Sequence, residues 1–293
     1  MNETLPVQAL LPWIIALLML GIGMSLNVKD FYELRRYPQA ALLACFCQFL
    51  LLPAIAFGLA LLLKLPSELK FGLVLLAAVP SASSSTIFTY LAGGHVPLSV
   101  SLTAFNRLLA VITLPVYMQL AAYAFANPAP AAALPATDVL KRLGLTLLAP
   151  ILAGMLLRRF APAKAQRVQP LVRRAALALL VILILWVVWR EYPELPRMFK
   201  QTGPAMLALC LGGMGLGYLC ATLARVTPAL RTALVLEVGL QSGGTAILIA
   251  TGILLQPSMA VPAIVYSLLM YPLAGLFAWH QFIRGQARQA DGA

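Results

Sequence analysis

The sequence contains few charged residues. Only 10% of its 293 residues are Asp, Glu, Lys or Arg, 61% are hydrophobic, and the mean hydropathy is +0.90. This composition excludes a water-soluble globular domain. Apolar stretches of about 20 residues, long enough to cross a hydrocarbon core of roughly 30 Å as helices, recur along the chain. The sequence therefore predicts an all-α membrane protein with a single membrane domain over residues 1–293.

Cysteine and acidic residues are also scarce. The four cysteines lie inside apolar segments, where a thiol usually acts as a small hydrophobe, so neither a disulfide framework nor a cysteine metal site is expected. An intramembrane enzyme would need paired carboxylates or a buried histidine at a catalytic spacing, and the sequence offers neither. We expect no catalytic residues and no organic cofactor.

About nine apolar segments alternate with joints rich in Pro, Gly or charge. They cover approximately residues 7–28, 38–63, 69–92, 97–125, 139–157, 171–189, 203–224, 229–254 and 260–283. No basic run precedes the first segment, which is too long for the hydrophobic region of a signal sequence, so no cleaved signal peptide is expected. The pattern predicts about nine transmembrane helices.

The net charge of +12 arises mainly from Lys and Arg in the joints between apolar segments. In a soluble protein such a charge would suggest nucleic acid, but here it is typical of a topology signal, and no nucleic-acid partner is expected. With the N-terminus outside, 13 basic residues fall on the cytoplasmic side and 7 on the other. The positive-inside rule therefore predicts an external N-terminus and a cytoplasmic C-terminus in the inner (cytoplasmic) membrane.

Two apolar segments are interrupted by polar and helix-breaking residues. Residues 79–86 (VPSASSST) interrupt the third segment, and residues 237–245 (EVGLQSGGT) interrupt the eighth. Because the two segments are five spans apart, they cross the membrane in opposite directions, as corresponding members of an inverted repeat do. Half-helix N-termini suit an anion and unwound carbonyls suit a cation, so the pair is typical of a transporter site. The alternative is a simple kink at Pro80 with serines at helix contacts.

Glu237 is the one acidic residue of nine in the middle of an apolar segment. A carboxylate at that depth costs about 2.5 kcal/mol or more, so it should be paired, protonated or holding a cation. The amide of Gln241 and the neighbouring carbonyls offer the oxygen ligands that sodium prefers. Gln48 is a buried amide that suits either a helix-to-helix hydrogen bond or an ion ligand.

The fourth segment adds a polar face. Ser99, Thr103 and Arg107 follow one another at four-residue intervals, and Asn106 adjoins them. The two hydroxyls can also bond back to their own helix. Arg107 lies about ten residues inside the span, too deep to reach the interface easily. It can pair with Glu237, contact a substrate carboxylate or take the place of one cation.

These residues resemble the bile acid:sodium symporter family, including its bacterial members. The resemblance runs from Leu11 to about Phe282. It rests on residues 11–13 (LPW) with 19–24 (MLGIGM), 48–49 (QF) before Pro53, 89–94 (TYLAGG) with 98–103 (LSVSLT), and, most specifically, 237–241 (EVGLQ). A bacterial inner membrane is therefore the expected location.

The resemblance implies a panel domain, approximately residues 7–28 and 139–189, and a core domain, approximately 38–125 and 203–283. In the core, two broken helices are expected to cross at their unwound middles, with sodium ions behind the crossing. By resemblance, one sodium site maps to Ser85, Thr86, Ser99, Thr103 and Glu237, and the other to Gln48, Glu237, Val238, Leu240 and Gln241.

The implied function is secondary active symport of sodium with a small organic anion, such as a bile acid-like, pantoate-like or other carboxylate or sulfonate, by alternating access. The expected substrate contacts lie around the crossing: Ser83, Ser84, Asn106, Arg107, Ser242 and Gly243. The partners implied are this anion, sodium and the lipid bilayer; the oligomeric state is left open.

Three positions depart from the family pattern. Thr86 and Ser242 stand where the family usually has Asn, and Arg107 stands where a small or hydroxyl residue is usual. A guanidinium 4 Å from a sodium ion repels it by about 4 kcal/mol at an effective dielectric constant of 20. The alternative is therefore a sodium-independent or proton-coupled carrier of the same fold, with Arg107 replacing one sodium ion.

Overall fold

The computed structural model describes residues 16–17, 19–21, 23–24, 31–125, 149–191, 193 and 195–290. Most of the first predicted segment and the start of the fifth lie outside these residues. The first six helices named here are α1 (Tyr32–Arg36), α2 (Pro38–Phe46), α3 (Leu52–Leu62), α4 (Ser67–Ala78), α5 (Ser84–Leu91) and α6 (Val96–Phe125). The next six are α7 (Ala149–Phe160), α8 (Pro162–Glu191), α9 (Leu195–Leu223), α10 (Pro228–Gly239), α11 (Gly243–Leu248) and α12 (Val261–Ala290).

The outer surface of the helix bundle is apolar. On α6, Ile112, Val116, Leu120 and Tyr123 form an exposed stripe at helical spacing, which is the surface that lipid covers. Four helices of the described ranges are long and apolar enough to cross a membrane: Pro38–Leu62, Val96–Phe125, Phe199–Leu223 and Pro257–Ile283. The all-α, multi-pass membrane class expected from the composition is confirmed.

The two interrupted segments are broken where the sequence predicts. The first break comprises residues 79–83, between α4 and α5, and the second comprises residues 240–242, between α10 and α11. Pro80 cannot donate a backbone hydrogen bond, and glycines flank the second break, so helix continuation is unfavourable at both places. Residues 71–78 of α4 and 232–239 of α10 are all buried, as expected for helices that are apolar on every face.

A π-helical turn, Cys47–Leu51, joins α2 to α3 within one long helix. Pro53 has no N–H group, so the carbonyl of Phe49 loses its usual helical partner. The hydroxyl of Tyr117, on α6, donates a hydrogen bond to that carbonyl instead. The wider turn lies at Gln48, whose side chain is buried, and π-turns of this kind are frequent at functional sites.

The joint between α7 and α8 is shorter than the apolar pattern predicts. That pattern ends one segment at residue 157, begins the next at 171 and places the joint at 161–164, whereas the structure leaves only Ala161 between the two helices. Proline suits the first position of a helix because its missing N–H would be unpaired there anyway, so α8 begins at Pro162. Lys164 is exposed, so the helix continues beyond its apolar part.

The described residues between 16 and 24 are helical and pack closely on α7. A side chain at Gly154 would come within 2.7 Å of the backbone nitrogen of Met24, so only glycine fits there. Arg158 also donates a hydrogen bond to the carbonyl of Met24 at 2.8 Å. The helical residues between 16 and 24 and α7 therefore form one tightly packed pair.

Candidate ion and substrate site

The two breaks cross each other inside the bundle. The N–H of Ala82 donates to the carbonyl of Leu240 at 2.8 Å, and the N–H of Ser242 donates to the carbonyl of Pro80 at 3.0 Å. These bonds form an isolated antiparallel bridge between the two stretches. They satisfy backbone groups that would otherwise be unpaired at membrane depth.

Other backbone carbonyls gather at the end of α10. The carbonyl of Val238 accepts a hydrogen bond from the side chain of Gln241 at 2.8 Å, and that of Gly239 accepts one from the Tyr266 hydroxyl at 2.6 Å. Tyr266 is fully buried, so its hydroxyl is committed to this carbonyl. The end of α10 is therefore rich in oxygen atoms held by specific donors.

The carboxylate of Glu237 lies one turn before the second break and is 0% exposed. It accepts hydrogen bonds from five side chains: Ser81, Ser85 (2.7 Å), Ser99 (3.2 Å), Thr103 (2.8 Å) and Asn106 (3.4 Å). We call these donors and Glu237 the hydroxyl cluster. They come from the first break, α5 and α6, so one carboxylate joins three separate parts of the chain.

The first predicted sodium site maps closely onto this cluster. Ser85, Ser99 and Thr103 contact Glu237, whereas the hydroxyl of Thr86 hydrogen-bonds to Ser99 at 3.2 Å. Sequence reasoning missed Ser81 and assigned Asn106 to the substrate.

The second predicted sodium site contains a pair of buried amides, which we call the amide pair. Gln48 donates to Gln241 at 2.8 Å, and Gln241 donates back at 3.0 Å. Gln48 also donates to the carbonyl of Val79 at 3.3 Å. With the carbonyls of Val238 and Leu240 nearby, all the residues predicted for this site lie at the crossing.

Two of the predicted substrate contacts, Ser83 and Arg107, contact each other outside the hydroxyl cluster. Ser83 is exposed, and the guanidinium of Arg107 donates a hydrogen bond to its hydroxyl. The Ser84 hydroxyl is buried without a hydrogen-bond partner in the described part of the chain. Ser242 shares a hydrogen bond with Thr245 at 2.7 Å.

Gly243 has a packing role that the sequence did not reveal. A side chain there would collide with Ser267 of α12, so glycine lets α11 approach that helix closely. The substrate-contact prediction for Gly243 therefore concerns its backbone alone.

The arrangement of these helices is that of a membrane transport protein, with a polar crossing buried in an apolar bundle. The model of the Sodium Bile acid symporter family matches residues 12–193, more than half of the chain. The chain belongs to this family of sodium-coupled secondary transporters. It is a transporter and not an enzyme, and the resemblance inferred from its motifs is confirmed.

Three relatives illustrate the similarity. The uncharacterized sodium-dependent transporter YocS of Bacillus subtilis (strain 168) is 30% identical over 260 residues, which cover 86% of this chain and 77% of that protein. The probable sodium/metabolite cotransporter BASS1, chloroplastic, of Arabidopsis thaliana is 29% identical over 266 residues, 88% of this chain and 64% of its own. The human sodium/bile acid cotransporter 4 is 30% identical over 261 residues, which cover 87% of this chain and 57% of that protein. The chain thus spans less than two thirds of the plant and human proteins.

Proposed function

We propose that this chain carries a small organic anion together with sodium, with at least one sodium ion bound at Glu237. The observation that carries the proposal is the fully buried carboxylate and its donors. None of the five donors in the hydroxyl cluster has a positive charge, and a buried anion needs a counter-ion to be stable. A sodium ion supplies that charge and accepts the hydroxyl oxygens as ligands.

Two sets of oxygen atoms are available to sodium. The first is the hydroxyl cluster, in which Ser85, Ser99, Thr103 and Glu237 are direct ligands and Thr86 supports Ser99. The second is the amide pair, Gln48 and Gln241, with the carbonyls of Val238 and Leu240. Carboxylate, amide, hydroxyl and carbonyl oxygens are the ligands that hard cations prefer, so both sets suit sodium.

The anion binds on the exposed side of the crossing in this proposal. Arg107 and Ser83 are in contact there, at the start of α5. A guanidinium matches the two oxygens of a carboxylate or sulfonate, and the first turn of a helix adds free N–H groups and a positive dipole end. Ser84, Ser242 and the backbone of Gly243 complete the proposed contacts. The substrate class is a small carboxylate or sulfonate, bile acid-like or pantoate-like.

Transport requires the crossing to face each side of the membrane in turn. We assign the helical residues between 16 and 24, α7 and α8 to a panel and the remaining long helices to a core, in an inverted repeat of about nine spans. The close packing of Met24 on Gly154 supports the panel as one unit.

The proposed orientation has the N-terminus outside and the C-terminus in the cytoplasm of a bacterial inner membrane. Span ends assigned to the cytoplasmic side meet at one end of the bundle, which supports the alternation of the spans, whereas the inside–outside assignment rests on the basic residues. Gln39 donates to the carbonyl of Ala224, and the N–H of His95 donates to the carbonyl of Ala229, both at 3.0 Å.

A thermal-shift screen tests both parts of the proposal. The purified chain is heated with a panel of carboxylates and sulfonates, in NaCl or in choline chloride at equal ionic strength. A transported anion should raise the unfolding midpoint more in NaCl, because each ligand that binds the folded state stabilises it. Glu237→Gln should remove the sodium-dependent part. Equal shifts in the two salts for every stabilising anion would rule out sodium coupling.

A second candidate is a sodium-independent or proton-coupled carrier. The observation that favours it is the positive charge of Arg107 at the crossing, which can take the place of one cation. Uptake of a stabilising anion into proteoliposomes, in choline buffer at several pH values, separates the two functions. Uptake that needs no sodium and follows the proton gradient would support the second candidate.

A further inference from the structure

Asn106 combines full burial with an unsatisfied polar atom. Its side chain lies on α6 and is 0% exposed. The Oδ1 atom is buried and has no hydrogen-bond partner within the described residues. A buried polar atom of this kind calls for an explanation. Because no hydrogen bond holds Oδ1 in its present position, the side-chain amide loses none at that end when it turns.

The other end of the amide makes only long contacts. Nδ2 lies 3.4 Å from Oε1 of Glu237 and 3.3 Å from Oγ of Ser81. An N–H group usually lies about 2.9–3.0 Å from its acceptor, so these hydrogen bonds are weak. The amide is therefore held loosely in this orientation.

The same distances suit two ligands of one cation. A hard cation that takes oxygens at about 2.4 Å holds adjacent ligands of a six-coordinate shell about 3.4 Å apart. A half-turn of the amide exchanges Oδ1 and Nδ2 without displacing neighbours, because the two ends have nearly the same shape. After that half-turn, Oδ1 lies beside the oxygens of Glu237 and Ser81 at the separation that a shared ion requires.

We propose that Asn106 is a ligand of the coupling ion, which adds an amide oxygen to the hydroxyl cluster. When the ion is bound, Oδ1 faces it; when the ion leaves, the amide turns and Nδ2 donates to Glu237. The amide thus contacts the ion in one state and the carboxylate in the other. This inference rests on the sodium site proposed above.

A sodium titration without any organic anion tests the proposal. The purified full chain is heated at increasing NaCl, with choline chloride keeping the ionic strength constant, and the half-saturating NaCl concentration is read from the unfolding midpoints. Asn106→Leu, which keeps the volume and removes both polar ends, should raise that concentration at least tenfold. Ser101→Ala is the matched control, because Ser101 is buried on the same helix and makes no hydrogen bond to Glu237 among the described residues, and it should leave the value unchanged.

A second variant guards against misfolding. Asn106→Asp keeps an oxygen at the same place and adds a negative charge, so it should retain the sodium response and gain one to CaCl₂. An unchanged half-saturating concentration in Asn106→Leu overturns the role of Asn106 while the sodium site stands. If Asn106→Leu cannot be purified, an Asn106→Asp protein that loses the sodium response or ignores CaCl₂ overturns it. A wild-type chain that does not respond to NaCl overturns the sodium site as well.

Discussion

The hydroxyl cluster and the amide pair are both buried at the crossing, yet their hydrogen bonds differ in kind. In the cluster, five donors point at one carboxylate, and no donor of the five is charged. In the pair, Gln48 and Gln241 each donate to and accept from the other, so the pair is neutral and satisfied by itself. A cation that binds in the cluster is paired with the full negative charge of Glu237, whereas a cation that binds at the amide pair must first displace hydrogen bonds. We therefore expect the cluster to dominate ion affinity.

The largest effect should follow removal of the charge in the cluster. Glu237→Gln keeps the shape of the side chain and most of its hydrogen bonds, but the ion loses its counter-charge. We expect the half-saturating NaCl concentration to rise at least about 100-fold, equivalent to about 2.7 kcal/mol. The measurement is the sodium titration of the unfolding midpoint. A value within a few-fold of wild type would show that another group binds the ion.

Arg107 lies on the proposed anion side of the crossing, and its replacement should affect the anion and not sodium. Arg107→Gln should weaken binding of the stabilising anion by about 10- to 100-fold, because hydrogen bonds to charged groups contribute about 1.5–3 kcal/mol. The sodium titration without anion should not weaken, since a positive charge near the crossing is removed. Anion titrations by calorimetry provide the measurement, and Arg231→Gln, a charge loss on α10 away from the crossing, is the control. If sodium affinity falls and anion affinity does not, Arg107 belongs to the ion site.

The amide pair should give a smaller effect, and its two halves should depend on each other. Gln48→Leu or Gln241→Leu leaves the remaining amide buried without its partner, which costs about 1–3 kcal/mol of unfolding free energy. We expect about a tenfold rise in half-saturating NaCl for each. The double variant should be less destabilised than the sum of the two, as in a double-mutant cycle of contacting residues. Additive losses would mean that the reciprocal hydrogen bonds contribute little.

The smallest effect should come from the π-turn that positions Gln48. Tyr117→Phe removes the donor to the Phe49 carbonyl and should lower the free energy of unfolding by about 1 kcal/mol. The half-saturating NaCl concentration should change less than twofold. Tyr123→Phe is the matched control, because Tyr123 lies on the same helix with 89% of its surface exposed. Equal losses of unfolding midpoint in the two variants would contradict this role of Tyr117.

The breaks and the buried acid could be predicted from the sequence because each is a local conflict with the membrane. Pro80 cannot continue a helix, and a lone carboxylate such as Glu237 cannot face lipid. Both signals stand out in a chain that is otherwise apolar. The family resemblance then assigned ligands to the site, and the structure brings those side chains together.

Which side chains of α6 face the site depends on the rotation of the helix, and residue spacing alone predicts that rotation imprecisely. Relative to Ser99, a helical residue seven positions on is rotated by only about 20°, whereas one eight positions on is rotated by about 80°. Asn106 is seven positions after Ser99 and faces Glu237. Arg107 is eight positions after Ser99 and contacts Ser83 instead. The four-residue spacing predicts Arg107 on the helix face that carries Ser99 and Thr103. The rotation per residue favours Asn106 on that face instead.

Contacts between side chains and distant backbone were beyond sequence reasoning altogether. Tyr266 donates to the carbonyl of Gly239 and Tyr117 to that of Phe49, and both tyrosines lie far along the chain from their acceptors. A tyrosine in an apolar segment is equally suited to a lipid interface, so only packing distinguishes the two roles.

The bridge at the crossing is made entirely by main-chain atoms, from Ala82 to Leu240 and from Ser242 to Pro80. Replacing the side chains of Ser83 or Ser242 therefore leaves the link between the two broken helices in place. Under the substrate contacts proposed above, natural divergence or a laboratory library varied at these two positions would change the cargo while the link between the broken helices persists.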